Sequence, residues 1–101
     1  MSDVFHFLDA DTEISFEELL RSSGLPQEAL HELIDIGAFD AHQSHGAMVF
    51  TAHCIVRGRQ AARLREDFDL DAGAIALALA YLDRIDTLET RIRELECLVL
   101  K

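Results

Sequence analysis

Glu28, His31, Glu32 and Asp35 fall at the spacing of one helix face, i, i+3, i+4 and i+7. Three carboxylates and a histidine on one stripe attract a cationic partner and repel phosphate. Asp40 follows a few residues later. His42, His45, His53 and Cys54 are of zinc-ligating type, and the first two have His-x-x-His spacing. They lack the paired ligand motifs of a structural site, so they are expected to be ordinary loop side chains, with no metal bound. Arg57, Arg59, Arg63 and Arg65 are phosphate-binding in type. They are expected instead to pair with the acidic first half of the chain, each surface pair contributing about 0–1 kcal/mol. Ser22 and Ser23 lack the setting of a nucleophile elbow, and no Gly-rich phosphate loop occurs. No catalytic residue and no cofactor site is expected.

These residues need a scaffold, and composition bounds it. The chain has 101 residues, 50% hydrophobic and 28% charged, with a net charge of −10. That suits one domain, able to bury about 60–70% of its unfolded surface. It is too apolar for a disordered chain. Residues 1–50 hold ten carboxylates against the single base Arg21, whereas residues 51–101 hold eight bases and nine acids. The longest membrane candidate, residues 72–82, is too short to span a bilayer. The start, Met-Ser-Asp-Val-Phe-His, is unlike a signal peptide. Two cysteines far apart, Cys54 and Cys97, read as free thiols in a reducing cytoplasm, Cys97 as a small apolar filler.

Along the chain, Val4–Leu8 reads as an edge strand and residues 9–13 as a loop. Ser15 with Glu18 forms a capping box, and Phe16, Leu19 and Leu20 share the face of the helix that follows. Gly24 ends that helix. Pro26 suits the first turn of a second helix, with Ala29, Leu30, Leu33 and Ile34 inward and Gly37 at its end. Two short helices on a tight turn make a helix-turn-helix unit. Residues 38–41 and 47–50, either side of the polar stretch 42–46, are expected to pair as a hairpin, or wing. Thr51 is expected to cap a third helix from Ala52 to about Asp67. Its inner face would use Ile55, Val56, Ala62 and Leu64, with Gln60 and the arginines outside. Asp69-Leu70-Asp71 breaks it, and Asp71 caps a fourth helix running to about Leu100.

The fourth helix is apolar nearly all round at first, with Ile75, Leu77, Ala78, Leu79 and Leu82. It then narrows to a seam. Ala78, Tyr81, Ile85, Leu88, Ile92, Leu95 and Val99 alternate by three and four, as heptad a and d positions do. Such a stripe needs a second surface. A homodimer through Tyr81, Ile85, Leu88, Ile92, Leu95 and Val99 is expected, rather than a fold-back onto the first three helices.

The stretches Ile14-Ser15-Phe16-Glu17-Glu18-Leu19, Gly24-Leu25-Pro26, Leu30 and Ile36-Gly37 resemble the opening of the MerR family. Val49-Phe50, Arg63-Leu64-Arg65 and Leu70 to Ile75 continue the likeness. Within that layout the chain more closely resembles the chaperone modulator CbpM family. That likeness rests on Gln60 to Glu66, the break at Asp69-Leu70-Asp71, and the helix Gly73-Ala74-Ile75-Ala76-Leu77-Ala78-Leu79. It covers about residues 14–95. The resemblance implies a mostly α, MerR-like winged helix-turn-helix with a small β hairpin as wing and a long C-terminal dimerisation helix. Residues 1–101 would form one domain, with a core at about 14–67 and the long helix at about 72–100. It further implies a non-enzymatic chaperone modulator that binds the J-domain of a DnaJ/CbpA-like co-chaperone and stops it stimulating Hsp70.

The alternative on the same fold is a MerR-type DNA-binding transcriptional regulator. A DNA-reading second helix needs Arg, Lys, Asn or Gln facing the groove. Here that face holds Glu28, Glu32 and Asp35. MerR-type wings carry Arg and Tyr, where this chain has His45-Gly46-Ala47-Met48-Val49-Phe50. A J-domain presents a basic second helix, so charge complementarity makes Glu28, His31, Glu32, Asp35 and Asp40 the expected partner-binding residues. Nucleic acid and membrane are not expected as partners.

Overall fold

Ser15 begins the first helix in the way its spacing to Glu18 requires. A computed structural model describes residues 12–100 of the chain. In it the Ser15 Oγ accepts from the Glu18 N–H at 3.1 Å, and Glu18 Oε1 accepts from the Ser15 N–H at 3.0 Å. This capping box starts α1, Phe16–Ser23, which Gly24 ends at φ 82°. α2 spans Gln27–Asp35. Pro26 stands just before it in extended conformation, as the cap rather than inside the first turn. At the other end of α2 the Ala38 N–H reaches Leu33 O at 2.9 Å and the Gly37 N–H reaches Ile34 O at 3.0 Å. Gly37 lies at φ 84°. This is a Schellman motif, and it stops α2 where the sequence expects.

Among the described residues three strands follow the order β1-β3-β2, all antiparallel: β1 Glu13–Ser15, β2 His42–Ser44 and β3 Ala47–Thr51. The wing differs from the expected hairpin in two respects. Its first strand is His42–Ser44, inside the polar stretch, while residues 38–41 lead up to it. Phe39 is buried in the core, so the segment before β2 serves packing instead of pairing. The loop has two residues, His45 at φ 52° and Gly46 at φ 79°. Two positive φ values suit a type I′ turn, whose twist matches the strands. The second difference is β1. Glu13 pairs with Thr51 and Ile14 with Phe50, so part of the expected loop 9–13 is strand. The expected strand Val4–Leu8 lies outside the described residues.

α3 spans His53–Phe68 and α4 spans Ala72–Val99. Thr51 is the last residue of β3, not a cap, and Ala52 precedes α3 without a side-chain cap. The inner face of α3 is rotated from the expected one. Ile55 is buried, but Val56, Ala62 and Leu64 are only half-buried, and Cys54, Arg57, Gly58 and Ala61 are buried beside Ile55. Gly58 is needed there. A Cβ on it would stand 2.6 Å from Ser23 Cβ, so α1 and α3 cross at near contact. Asp69 ends α3 in left-handed conformation, and Asp71 caps α4 through the Ala74 N–H at 2.9 Å.

The core lies where α1, α2, α3 and the wing meet the first two turns of α4. Phe50, Leu19, Leu30 and Leu33 are its largest fully buried side chains. Each contributes about 1.5–3 kcal/mol relative to exposure. α4 supplies Ile75 and Leu79. From Asp83 to its end at Val99 every residue of it is exposed.

Candidate partner-binding surface

α2 sorts its residues cleanly. Ala29, Leu30 and Leu33 turn into the core. Glu28, His31, Glu32 and Asp35 lie on the opposite face, all four exposed. His31 is also engaged locally. Its ring stacks on Phe16 at a centroid distance of 4.8 Å and an interplanar angle of 24°. That stack places the first turn of α1, with Glu17 and Glu18 exposed, beside the α2 stripe. The acidic face therefore runs across both helices.

The grooves divide the expected site. Glu32 lines one between α2 and the α3–α4 turn, together with Leu33, Arg65, Asp69, Asp71 and Ile75. Asp40 lines another, with Phe39, His53, Arg57, Leu79 and Asp83. Asp40 thus belongs to a different groove from Glu32. Local spacing marks Asp69 and Asp71 only as a helix break and a cap. The fold adds them to the surface that Glu32 borders.

Of the four α3 arginines, the structure draws two into the fold. Arg57 is buried, contrary to its expected outward position, because it faces α4. Its Nη2 donates to Asp86 Oδ2 at 2.7 Å and to Asp83 Oδ1, and its Nη1 donates to Gln60 Oε1. The Nε–H has no acceptor among the described residues. Arg59 Nε donates to Ser22 O at 3.0 Å, satisfying a carbonyl near the end of α1. Among the described residues neither pairs with a carboxylate of the first half, against the expected pairing. The acids that hold Arg57 are on α4. Arg65 is exposed and lines the α2 groove.

His42 and His45 are exposed on the wing, and Cys54 is buried 3.8 Å from Thr51 Oγ1. Cys97 is exposed and so does not fill the core. On α4, Tyr81, Ile85, Leu88, Ile92, Leu95 and Val99 are between 46% and 79% exposed. The stripe does not fold back onto the first three helices.

A helix-turn-helix, a three-stranded wing, a third helix and a long projecting helix define a winged-helix regulator in architecture. Residues 14–97 match the MerR HTH family regulatory protein family, and the chain belongs to it. It is also similar to the chaperone modulatory protein CbpM of two Coxiella burnetii strains, Dugway 5J108-111 and RSA 331 / Henzerling II. Each is 28% identical over 90 residues, covering 88% of this chain and 85% of the relative. These names describe regulators and modulators, not enzymes. Among the described residues, no helix is long and apolar enough to cross a membrane.

Proposed function

We propose that the chain is a non-enzymatic, cytoplasmic chaperone modulator. It binds the J-domain of a DnaJ/CbpA-like co-chaperone and inhibits the stimulation of Hsp70, with no cofactor or metal. It acts as a homodimer through α4. The observation that carries this reading is the stripe of Glu28, Glu32 and Asp35 on the outer face of the helix that a DNA-binding relative would lay in the major groove. Carboxylates there are repelled by phosphate and complement a basic helix. By occupying that basic helix, the acidic face competes with Hsp70 for it.

Calorimetric titration with a CbpA-type J-domain tests this. The expected result is saturable binding near one J-domain per chain. The double change Glu32→Lys and Asp35→Lys is expected to weaken it by more than about tenfold, or about 1.4 kcal/mol. Unchanged affinity would remove α2 from the interface.

Membership of the MerR family and the exposed Arg65 favour a second reading, a DNA-binding transcriptional regulator. In that case the same charge reversal strengthens DNA binding, measured by fluorescence anisotropy at two salt concentrations.

A further inference from the structure

Heptads counted along the α4 seam give each residue a place in a coiled coil. Ile85, Ile92 and Val99 fall at a, while Tyr81, Leu88 and Leu95 fall at d. Ile or Val at a with Leu at d is the pattern that favours two strands in a parallel coil. The flanks of the seam carry an independent pattern. Position g holds Arg84 and Arg91, and position e holds Glu89 and Glu96. Each arginine stands five residues before a glutamate. In a parallel pair, that is the offset between a g residue and the e residue of the partner helix beside it. Antiparallel helices set g beside g and e beside e, which opposes Arg to Arg and Glu to Glu.

The body of the molecule leaves this side of α4 clear. The core packs on Ala72, Ile75, Leu79 and Leu82, and Arg57 holds Asp83 and Asp86. All six are b, e or f positions. Leu77 and Tyr81 lie level with the packed turns but on the opposite side, 58% and 62% exposed. Arg84, Glu89, Arg91 and Glu96 are exposed too. Among the described residues, none of these four has an ion-pair partner within the chain.

We infer that α4 pairs with a second copy of itself as a parallel, in-register coil. Arg84 meets Glu89 of the partner subunit, and Arg91 meets Glu96 of the partner subunit. The inference rests on the homodimer reading and deepens it by giving the dimer a direction. Both bodies then sit at one end of the coil, on its outer sides, and the two acidic α2 faces stand at that same end.

Sedimentation equilibrium of the full chain first establishes the dimer. Leu88→Cys and Leu95→Cys, made separately and each with Cys97→Ser, then read its direction. The remaining thiol, Cys54, is buried. In a glutathione redox buffer, at concentrations where each variant sediments as a dimer, both are expected to become disulfide-linked. A disulfide bridges Cα atoms about 4.4–6.8 Å apart. Antiparallel helices bring at most one of these two positions that close to its own copy. The flanks supply a second readout. Arg84→Glu with Arg91→Glu is expected to weaken the dimer by about tenfold or more, because every g residue then faces a like charge. Adding Glu89→Arg and Glu96→Arg is expected to restore it. An antiparallel dimer would not respond to the first change, which only exchanges Arg beside Arg for Glu beside Glu.

If the wild type is a dimer but either cysteine fails to link, or the charge reversal leaves its affinity unchanged, the parallel coil is overturned and the homodimer stands. A monomeric wild type removes both.

Discussion

Gly58 carries more of the packing than its size suggests. Leu19 and Ser23 of α1 lie directly over it, and the methyl group of an alanine at this position would collide with Ser23 Cβ at 2.6 Å. Alanine favours a helix by about 1 kcal/mol over glycine, but forcing an atom into a closed contact costs about 1–3 kcal/mol. Gly58→Ala is therefore expected to be net destabilising by up to about 2 kcal/mol, read as a lower midpoint in urea with an unchanged slope. A midpoint equal to or above the wild type would mean that α1 yields freely. Nothing in the linear spacing marks this glycine, since it sits inside an otherwise regular helix. The residues that chain-local rules govern behave differently. Ser15 caps, Gly24 and Gly37 terminate, and Asp71 caps, each as its type and place require.

Between elements, the decisive tie is Arg57. It reaches from α3 to Asp83 and Asp86, just beyond the last partly buried side chain of α4, Leu82. The guanidinium is buried while both carboxylates are more than half exposed. That asymmetry sets an unequal response to mutation. Arg57→Met removes the buried charge and leaves two carboxylates in water, so stability is expected to change by less than about 1 kcal/mol. Asp83→Asn with Asp86→Asn leaves the arginine buried without a counter-charge. The loss is expected to be about 2 kcal/mol, below the range for fully buried pairs because solvent reaches this one. Chemical denaturation of the two variants checks the order, and equal losses would show that packing, not charge, holds Arg57. The acidic stripe of α2 depends on its neighbours too: the Phe16–His31 stack joins it to α1.

For the molecule as a whole, the exposed seam of α4 sets the expectation. The principal extents are 49, 33 and 27 Å, so the last helix stands well clear of the body. Ile85 and Ile92 lie two turns apart on the seam, 48% and 55% exposed. In the proposed dimer, Ile85→Lys with Ile92→Lys places charges in the shared core. Sedimentation equilibrium is expected to give a dimer for the wild type and a monomer for the variant. A monomeric wild type would remove the homodimer from the proposal. A monomeric variant that still binds the J-domain would place the acidic site within one protomer.

The order of helices, the caps at Ser15 and Asp71, the length of α4 and the two faces of α2 were legible in the residues, because helix periodicity and end chemistry are local. They depend on neighbours within a turn or so, and the chain carries those neighbours with it. The fate of the arginines was not legible. Arg57 and Arg59 look alike on the helix, yet one is buried against α4 and the other bonds a carbonyl of α1. β1 was hidden because its partner, β3, is distant along the chain. The grouping of Asp69 and Asp71 with Glu32 around one groove was hidden for the same reason: it arises only when α4 packs back against α2. Contacts between distant residues depend on how whole elements pack, and linear spacing contains no measure of that.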